Sequence, residues 1–195
     1  MTPPGARNFI RAVARTQKAL DACGLPSMII EGVAVVAHGV PRTTLDVDAT
    51  VRGADTDLDE LLACWKKLAV VPRIEGAVDF ARRTQVLLLA HPKLGVELDV
   101  SLAWLPFEIE ALSRSEIVDL GRARIRVPHV EDLIVYKVIA ARPRDIDDAE
   151  KLLLLHKRRV SSKGMRATVA GFDDALETSD RSELLEQLFR KTGVR

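Results

Sequence analysis

Apolar and polar positions follow two different rhythms along this chain, one up to Pro128 and another after it. Near the start, Phe9, Ile10, Val13, Ala14 and Leu20 recur at three- and four-residue steps with Arg and Lys between them. That spacing predicts an amphipathic helix from Ala6 to Cys23, stopped by Gly24 and Pro26. Ser27 to Glu31 (SMIIE) reads as a short apolar strand, GVAVVAHG as a short helix between two glycines, and Leu45 to Arg52 as a second strand. After a polar run from Asp55 to Asp59, DELLACWKKLAV reads as a helix with acids favouring its first turn. Thr84 to Ala90 and Gly95 to Leu102 read as two strands joined at HPKLG like a hairpin. The second strand alternates cleanly, with Val96, Leu98, Val100 and Leu102 on one face and Glu97, Asp99 and Ser101 on the other. PFEIEALSRS reads as a short helix and ARIRVP as a further strand.

Beyond Pro128 the pattern is helical throughout: VEDLIVYKVIAAR, DIDDAEKLLLLH, a polar break at KRRVSSKG, and one or two helices to the end. The fold class is therefore α/β (α+β), a small mixed sheet flanked by helices over residues 1–128. A C-terminal helical region over 129–195 is expected to pack on that core and complete its site.

Composition narrows the function classes. With 195 residues and 47% hydrophobic side chains, the chain can bury a substantial core in one domain or a domain with a helical appendage. Its net charge of +1 argues against a globally electropositive nucleic-acid binder, so any basic footprint is local, as at RARIRVPH or KRRVSSKGMR. Cys23 and Cys64 lie far apart in sequence, suggest no metal-spaced or redox pair, and read as buried structural thiols in a reducing compartment. MTPPGARNFIRAVART carries no apolar leader, and no run approaches the roughly 18–20 apolar residues of a membrane span. The expectation is a cytoplasmic protein without membrane contact.

Two acids interrupt the second strand. Successive strand residues alternate faces, so Asp46 and Asp48 are expected to point the same way, their Cα atoms roughly 6.5–7 Å apart. If the strand of Asp99 lies alongside, three carboxylates converge. Clustered carboxylates repel unless a cation neutralises them, and an oxygen-only set suits a hard ion such as Mg²⁺. A D-x-D by itself also describes ordinary solvated acids. Its surroundings add weight: Gly32 opens a short helix whose free N–H groups favour phosphate, and Arg42, Thr43 and Thr44 place donors beside the acids. Gly32 is equally at home in a plain strand-to-helix turn. Lys137 falls on the buried stripe of its helix, in line with Val130 and Ala141, either snorkelling along the surface or aimed at a triphosphate. Asp145 and Asp148 share a flank of the next helix, where they either cap it or orient Lys137 or a substrate hydroxyl. His38, His91, His129 and His156 form no zinc pattern, and nucleophile and P-loop motifs are absent.

Taken in order, strand, Gly, short helix and G-x-x-R-x-T-x-D-x-D in IEGVAVVAHGVPRTTLDVD resemble the nucleotidyltransferase superfamily of the DNA polymerase β type. Within it the chain looks most like the AbiEii-type toxin nucleotidyltransferases, and YKVIAARPRDIDDAEKLL resembles their lysine followed by R-x-x-D-x-x-D. The resemblance, spanning roughly Ser27 to His156, implies that Asp46 and Asp48 are paired metal ligands and Asp99 the third carboxylate. It makes Gly32 the phosphate-cradling turn and Lys137 the NTP-phosphate lysine. Asp148, with Asp145 nearby, becomes the acid downstream, and Arg42 and Thr44 flank the triphosphate. One position departs: the usual Gly-Gly or Gly-Ser is Gly32-Val33 here, which predicts weaker triphosphate binding, or a divergent or inactive member. The implied function is Mg²⁺- or Mn²⁺-dependent transfer of an NMP from an NTP to tRNA or another RNA, as the toxin partner of a cognate antitoxin. A small-molecule adenylyltransferase of the antibiotic-resistance type is the same-chemistry alternative. A non-catalytic nucleotide- or partner-binding protein is the different-class one, kept open by Val33.

Overall fold

The computed structural model describes residues 5–53, 56–121 and 123–195. The start of the polar run at Asp55, Arg122 of the RARIRVPH patch and the first four residues lie outside the described residues. Two compact units result, one made of Met1–Ala37 and Arg42–Pro128, the other of His38–Pro41 and His129–Arg195.

In the first unit, α1 (Ala6–Ala22) leads to β1 (Ser27–Ile30), α2 (Glu31–Ala37), β2 (Val47–Arg52), α3 (Leu58–Lys66), β3 (Val71–Pro72) and α4 (Ala77–Thr84). β4 (Val86–His91), β5 (Val96–Ala103), α5 (Pro106–Ser113), β6 (Glu116–Asp119) and β7 (Arg124–Val127) follow. Five strands form one sheet in the order β1-β2-β5-β4-β3, with β2 and β5 parallel and the other neighbours antiparallel, while β6 and β7 form a separate hairpin. Strand alternation sorts this sheet into two faces. Val47, Ala49 and Val51, Leu98 and Val100, and Leu87 and Leu89 are buried on one, which packs against α1. Asp48, Asp99 and Leu88 are only half-buried on the other. The β4–β5 connection is the expected hairpin, closed by the Leu94 and Gly95 N–H groups donating to the His91 carbonyl, with Gly95 at φ 66° supplying the left-handed turn.

The second unit contains α6 (Val130–Ala140), α7 (Pro143–His156), α8 (Ser162–Leu176) and α9 (Asp180–Thr192). Ala141 turns left-handed after α6 and Pro143 opens α7 at its first turn, so the two helices form a tight hairpin. No helix among the described residues is long and apolar enough to cross a membrane.

Three elements depart from the pattern reading. α4 occupies AVDFARRT, whose short charged sequence hides an apolar side of only two buried alanines, Ala77 and Ala81. It runs through Thr84 and ends with Gln85 left-handed, so β4 starts at Val86 rather than Thr84. β3 is two residues long and contains a proline, which leaves no alternation to read. β6 carries Glu and Asp at its ends and exposes Ile117, inverting the usual cue.

Candidate active site

The half-open sheet face carries a lateral row of side chains. Register sets Asp48 of β2 directly beside Asp99 of β5, and Asp99 opposite Leu88 of β4. Just past β3, the Arg73 N–H donates to the Leu88 carbonyl at 3.0 Å and extends the same row by one strand. Neighbouring strands lie about 4.8 Å apart, so Asp48 and Asp99 stand side by side across β2 and β5. Arg73 reaches along the row: its Nη1 donates to Asp99 Oδ1 and, at 3.0 Å, to the Leu89 carbonyl, while Nη2 stands 3.8 Å from Glu97 Oε2. The hydrogen bond to Asp99 is the chief cause of an upward shift in the Arg73 pKa, opposed by partial burial and assisted by the charges of Asp99, Glu97 and Asp48. Arg73 is a residue that the sequence reading passed over.

Asp46 lies just ahead of β2, in a bend, exposed, and accepts a hydrogen bond from Thr44 Oγ1 at 3.1 Å. The shared-face argument that joined it to Asp48 therefore stops short, because the strand begins at Val47. Upstream, Glu31 takes φ 51° at the β1–α2 junction, and Gly32 is buried under the loop that precedes β2. A Cβ on Gly32 would lie 2.6 Å from Thr44 Oγ1, 2.9 Å from Thr44 Cβ and 3.1 Å from Arg42 Cζ. The absence of a side chain at Gly32 is thus required by Thr44 and Arg42 pressing on the turn. Val33, Arg42, Thr43 and Thr44 line a cavity of about 530 Å³ together with Phe9, Ile10, Val13, Val36, Leu45, Leu120 and Ala123. Its wall is mostly hydrocarbon, which suits a ring system better than a triphosphate.

In the second unit, Lys137 is fully buried on α6 with its ammonium turned toward α7. Nζ donates to Asp145 Oδ1 at 2.8 Å and lies 3.9 Å from Asp148 Oδ2, and Arg142 Nε binds the other oxygen of Asp145. Burial pushes the Asp145 pKa up, but hydrogen bonds from Arg142 and Lys137 outweigh it and leave the carboxyl below its ordinary value. Asp147 faces the other way and pairs with Lys151 at 2.6 Å, as helical spacing predicts.

Among the described residues, no three His, Cys, Asp or Glu side chains are gathered closely enough to hold a metal ion by themselves. What the sheet offers is a carboxylate pair on a half-open face. That donor set fits Mg²⁺, which binds through one or two carboxylates and completes its shell with water and phosphate oxygens. Elsewhere in the unit the two cysteines correct the reading of unrelated buried thiols. Packing of α1 on α3 brings Cys23 Sγ to 3.1 Å from Cys64 Sγ, both half-exposed beside a cavity of about 380 Å³ that Asp57 and Glu60 also line. Burial, and then the Cys64 thiol, push the Cys23 pKa up to about 12.

Sheet order and paired aspartates together define a mixed α/β protein of nucleotidyltransferase-like fold. Residues 7–184 match the family described as nucleotidyltransferase of unknown function (DUF6036), and the chain belongs to that family. Comparison with curated proteins finds no match. Among solved structures, the solution structure of the antibiotic-resistance factor ANT(2'')-Ia superposes with a TM-score of 0.63 at 20% identity, covering 89% of this chain and 97% of that one. The crystal structure of ANT(2'')-Ia with adenylyl-2''-tobramycin gives 0.56 at 18% identity, over 88% and 99% of the two chains. JHP933 from Helicobacter pylori gives 0.52 at 12% identity, over 97% and 95%. At these identities the likeness is one of fold.

Proposed function

We propose that this protein transfers a nucleoside monophosphate from an NTP to an acceptor hydroxyl at the Asp48–Asp99 pair. The observation that carries the reading is the register, which sets two carboxylates side by side on a half-open sheet face in a member of a nucleotidyltransferase family. Asp48 and Asp99, with Asp46 beside them in sequence, are the residues to hold Mg²⁺ or Mn²⁺; such an ion supplies positive charge to phosphate oxygens and acidifies a hydroxyl. The acceptor oxygen bonds to the α-phosphorus as the bond from that phosphorus to pyrophosphate breaks. Asp99 receives the hydroxyl proton on the carboxylate oxygen that a bound ion would leave free. Arg42, Thr43 and Thr44, beside Gly32 and Val33, offer donors to the nucleotide. Lys137, Asp145 and Asp148 hold α6 to α7 in this reading, which their burial supports, in place of the phosphate and catalytic roles that the AbiEii resemblance implies.

The acceptor best supported is a cationic, hydroxyl-bearing small molecule. Asp48, Glu97 and Asp99 outnumber Arg73 on the open face and leave it acidic, and a protein of matching length and fold is held with adenylyl-2''-tobramycin. The second reading is tRNA or another RNA, favoured by the exposed run Lys157, Arg158 and Arg159. The AbiEii-type toxin role and its antitoxin depend on that second reading, and a cytoplasmic setting suits either. Incubating the full chain and Mg²⁺ with each labelled NTP, and separately with total tRNA or tobramycin, distinguishes them. Label is expected in the small-molecule pool. Label in tRNA transfers support to the toxin reading, and NTP binding without label in either pool returns the protein to a non-catalytic binding role. Asp48→Ala must abolish whichever transfer occurs.

A further inference from the structure

We propose that Arg73 is the resident counter-ion of the Asp48–Asp99 pair and competes with a divalent cation for Asp99. The inference rests on the reading above, in which these carboxylates bind a metal ion. Two ionised carboxylates in adjacent register repel each other, and positive charge nearby relieves that repulsion. Arg73 provides that charge from the same row. Its backbone is fixed by the N–H bond to the Leu88 carbonyl, and its guanidinium is fixed by the Leu89 carbonyl, so the side chain is aimed at Asp99 by the sheet itself. Glu97 holds the other end of the fork, 3.8 Å from Nη2.

This placement has two consequences. The pair keeps its position when no metal is bound, because a cation already sits against it. A divalent ion that takes Asp99 Oδ1 must break a charge-assisted hydrogen bond, and Arg73 then retains Glu97 and the Leu89 carbonyl as partners. Because the guanidinium is partly solvated, the exchange does not bury an unpaired charge. Arg73 is thus a positioning residue that sets the metal affinity of the site.

The test is Mn²⁺ binding to the full chain without nucleotide, followed by the electron paramagnetic resonance signal of free Mn²⁺. Arg73→Gln removes the competing charge while keeping a donor for the Leu89 carbonyl, and is expected to bind Mn²⁺ about tenfold more tightly than wild type. Arg73→Lys, which keeps the charge but loses the fork, is expected to fall between them. A gain in affinity is a result that simple loss of structure does not produce, and far-UV circular dichroism checks the fold of each variant. Equal or weaker Mn²⁺ binding by both Arg73 variants, with wild-type binding intact and lost in Asp99→Asn, overturns the counter-ion role and leaves the metal-site reading standing. Absence of Mn²⁺ binding in wild type and in Arg73→Gln alike overturns both.

Discussion

Two aspartate pairs among the described residues each face a cation, and their surroundings differ sharply. On the sheet, Asp99 and Arg73 retain 39% and 24% of their side-chain exposure, whereas Asp145 and Lys137 in the helical unit retain 3% and none. Both groups obey the same electrostatics. In water-accessible surroundings a pair is worth little and its partners exchange at small cost; in a dry interior each charge is costly alone and the partners are locked together. The difference teaches that an acid pair is fit for changing ligands only where solvent can replace a departing partner. By that criterion the proposed reading assigns the chemistry to the sheet pair and a structural role to the helical pair.

Breaking each pair tests the contrast, and the largest effect is expected in the helical unit. Lys137→Met leaves Asp145 and Asp148 in the interior without the ammonium and should lower unfolding stability by about 3–5 kcal/mol in urea titrations. Asp48→Asn should shift the same midpoint by less than about 0.5 kcal/mol while abolishing NMP transfer. Equal losses of stability in the two variants would erase the distinction.

Openness, rather than charge, can be isolated with the cysteines. Cys23 and Cys64 touch beside an open cavity, so diamide or another two-electron oxidant should join them, each thiol giving up one hydrogen. The raised Cys23 pKa makes this slow at neutral pH. The bridge is expected to add about 2–4 kcal/mol. Mass spectrometry of the intact chain, with Cys64→Ser as control, reads the outcome; persistence of two free thiols after prolonged oxidation would show that the contact is closed to change.

Smaller and graded effects come from pH. Burial pushes the His91 pKa down from its ordinary 6.5 to about 4. The unfolded chain therefore takes up that proton first on acidification, and stability should decline from pH 6.5 to about 4, then level for this group. His91→Gln should flatten that part of the curve. Asp145 adds a second decline at lower pH. Its contribution is complete above the ordinary carboxylate value of 3.8 and is lost as pH falls through its depressed folded value. Lys137→Met should remove most of that second slope. Urea midpoints measured from pH 7 to 3 resolve the two.

Much of this was legible in the chain, for reasons that differ by residue. Clean alternation in GVELDVSL fixed which way Asp99 points, and helical spacing put Lys137 on the buried side and Asp147 on the exposed one. Arg73 escaped because its strand is two residues long and its partners lie 15 to 26 positions away in β4 and β5. The Cys23–Cys64 contact escaped for a similar reason: a separation of 41 residues becomes contact only through the packing of α1 on α3. Gly32 was singled out for phosphate approach, yet the immediate demand on it is steric.

That steric demand couples position 32 to the loop ahead of β2. A Cβ on Gly32 would meet Thr44 Oγ1 at 2.6 Å and Thr44 Cβ at 2.9 Å, so alanine or serine at position 32 requires Thr44 to move. Truncating Thr44 to alanine removes the Oγ1 clash but leaves its Cβ at 2.9 Å, so the loop itself must shift before a side chain fits at position 32. A side chain at position 32 is thus a change to the loop as well as to the turn.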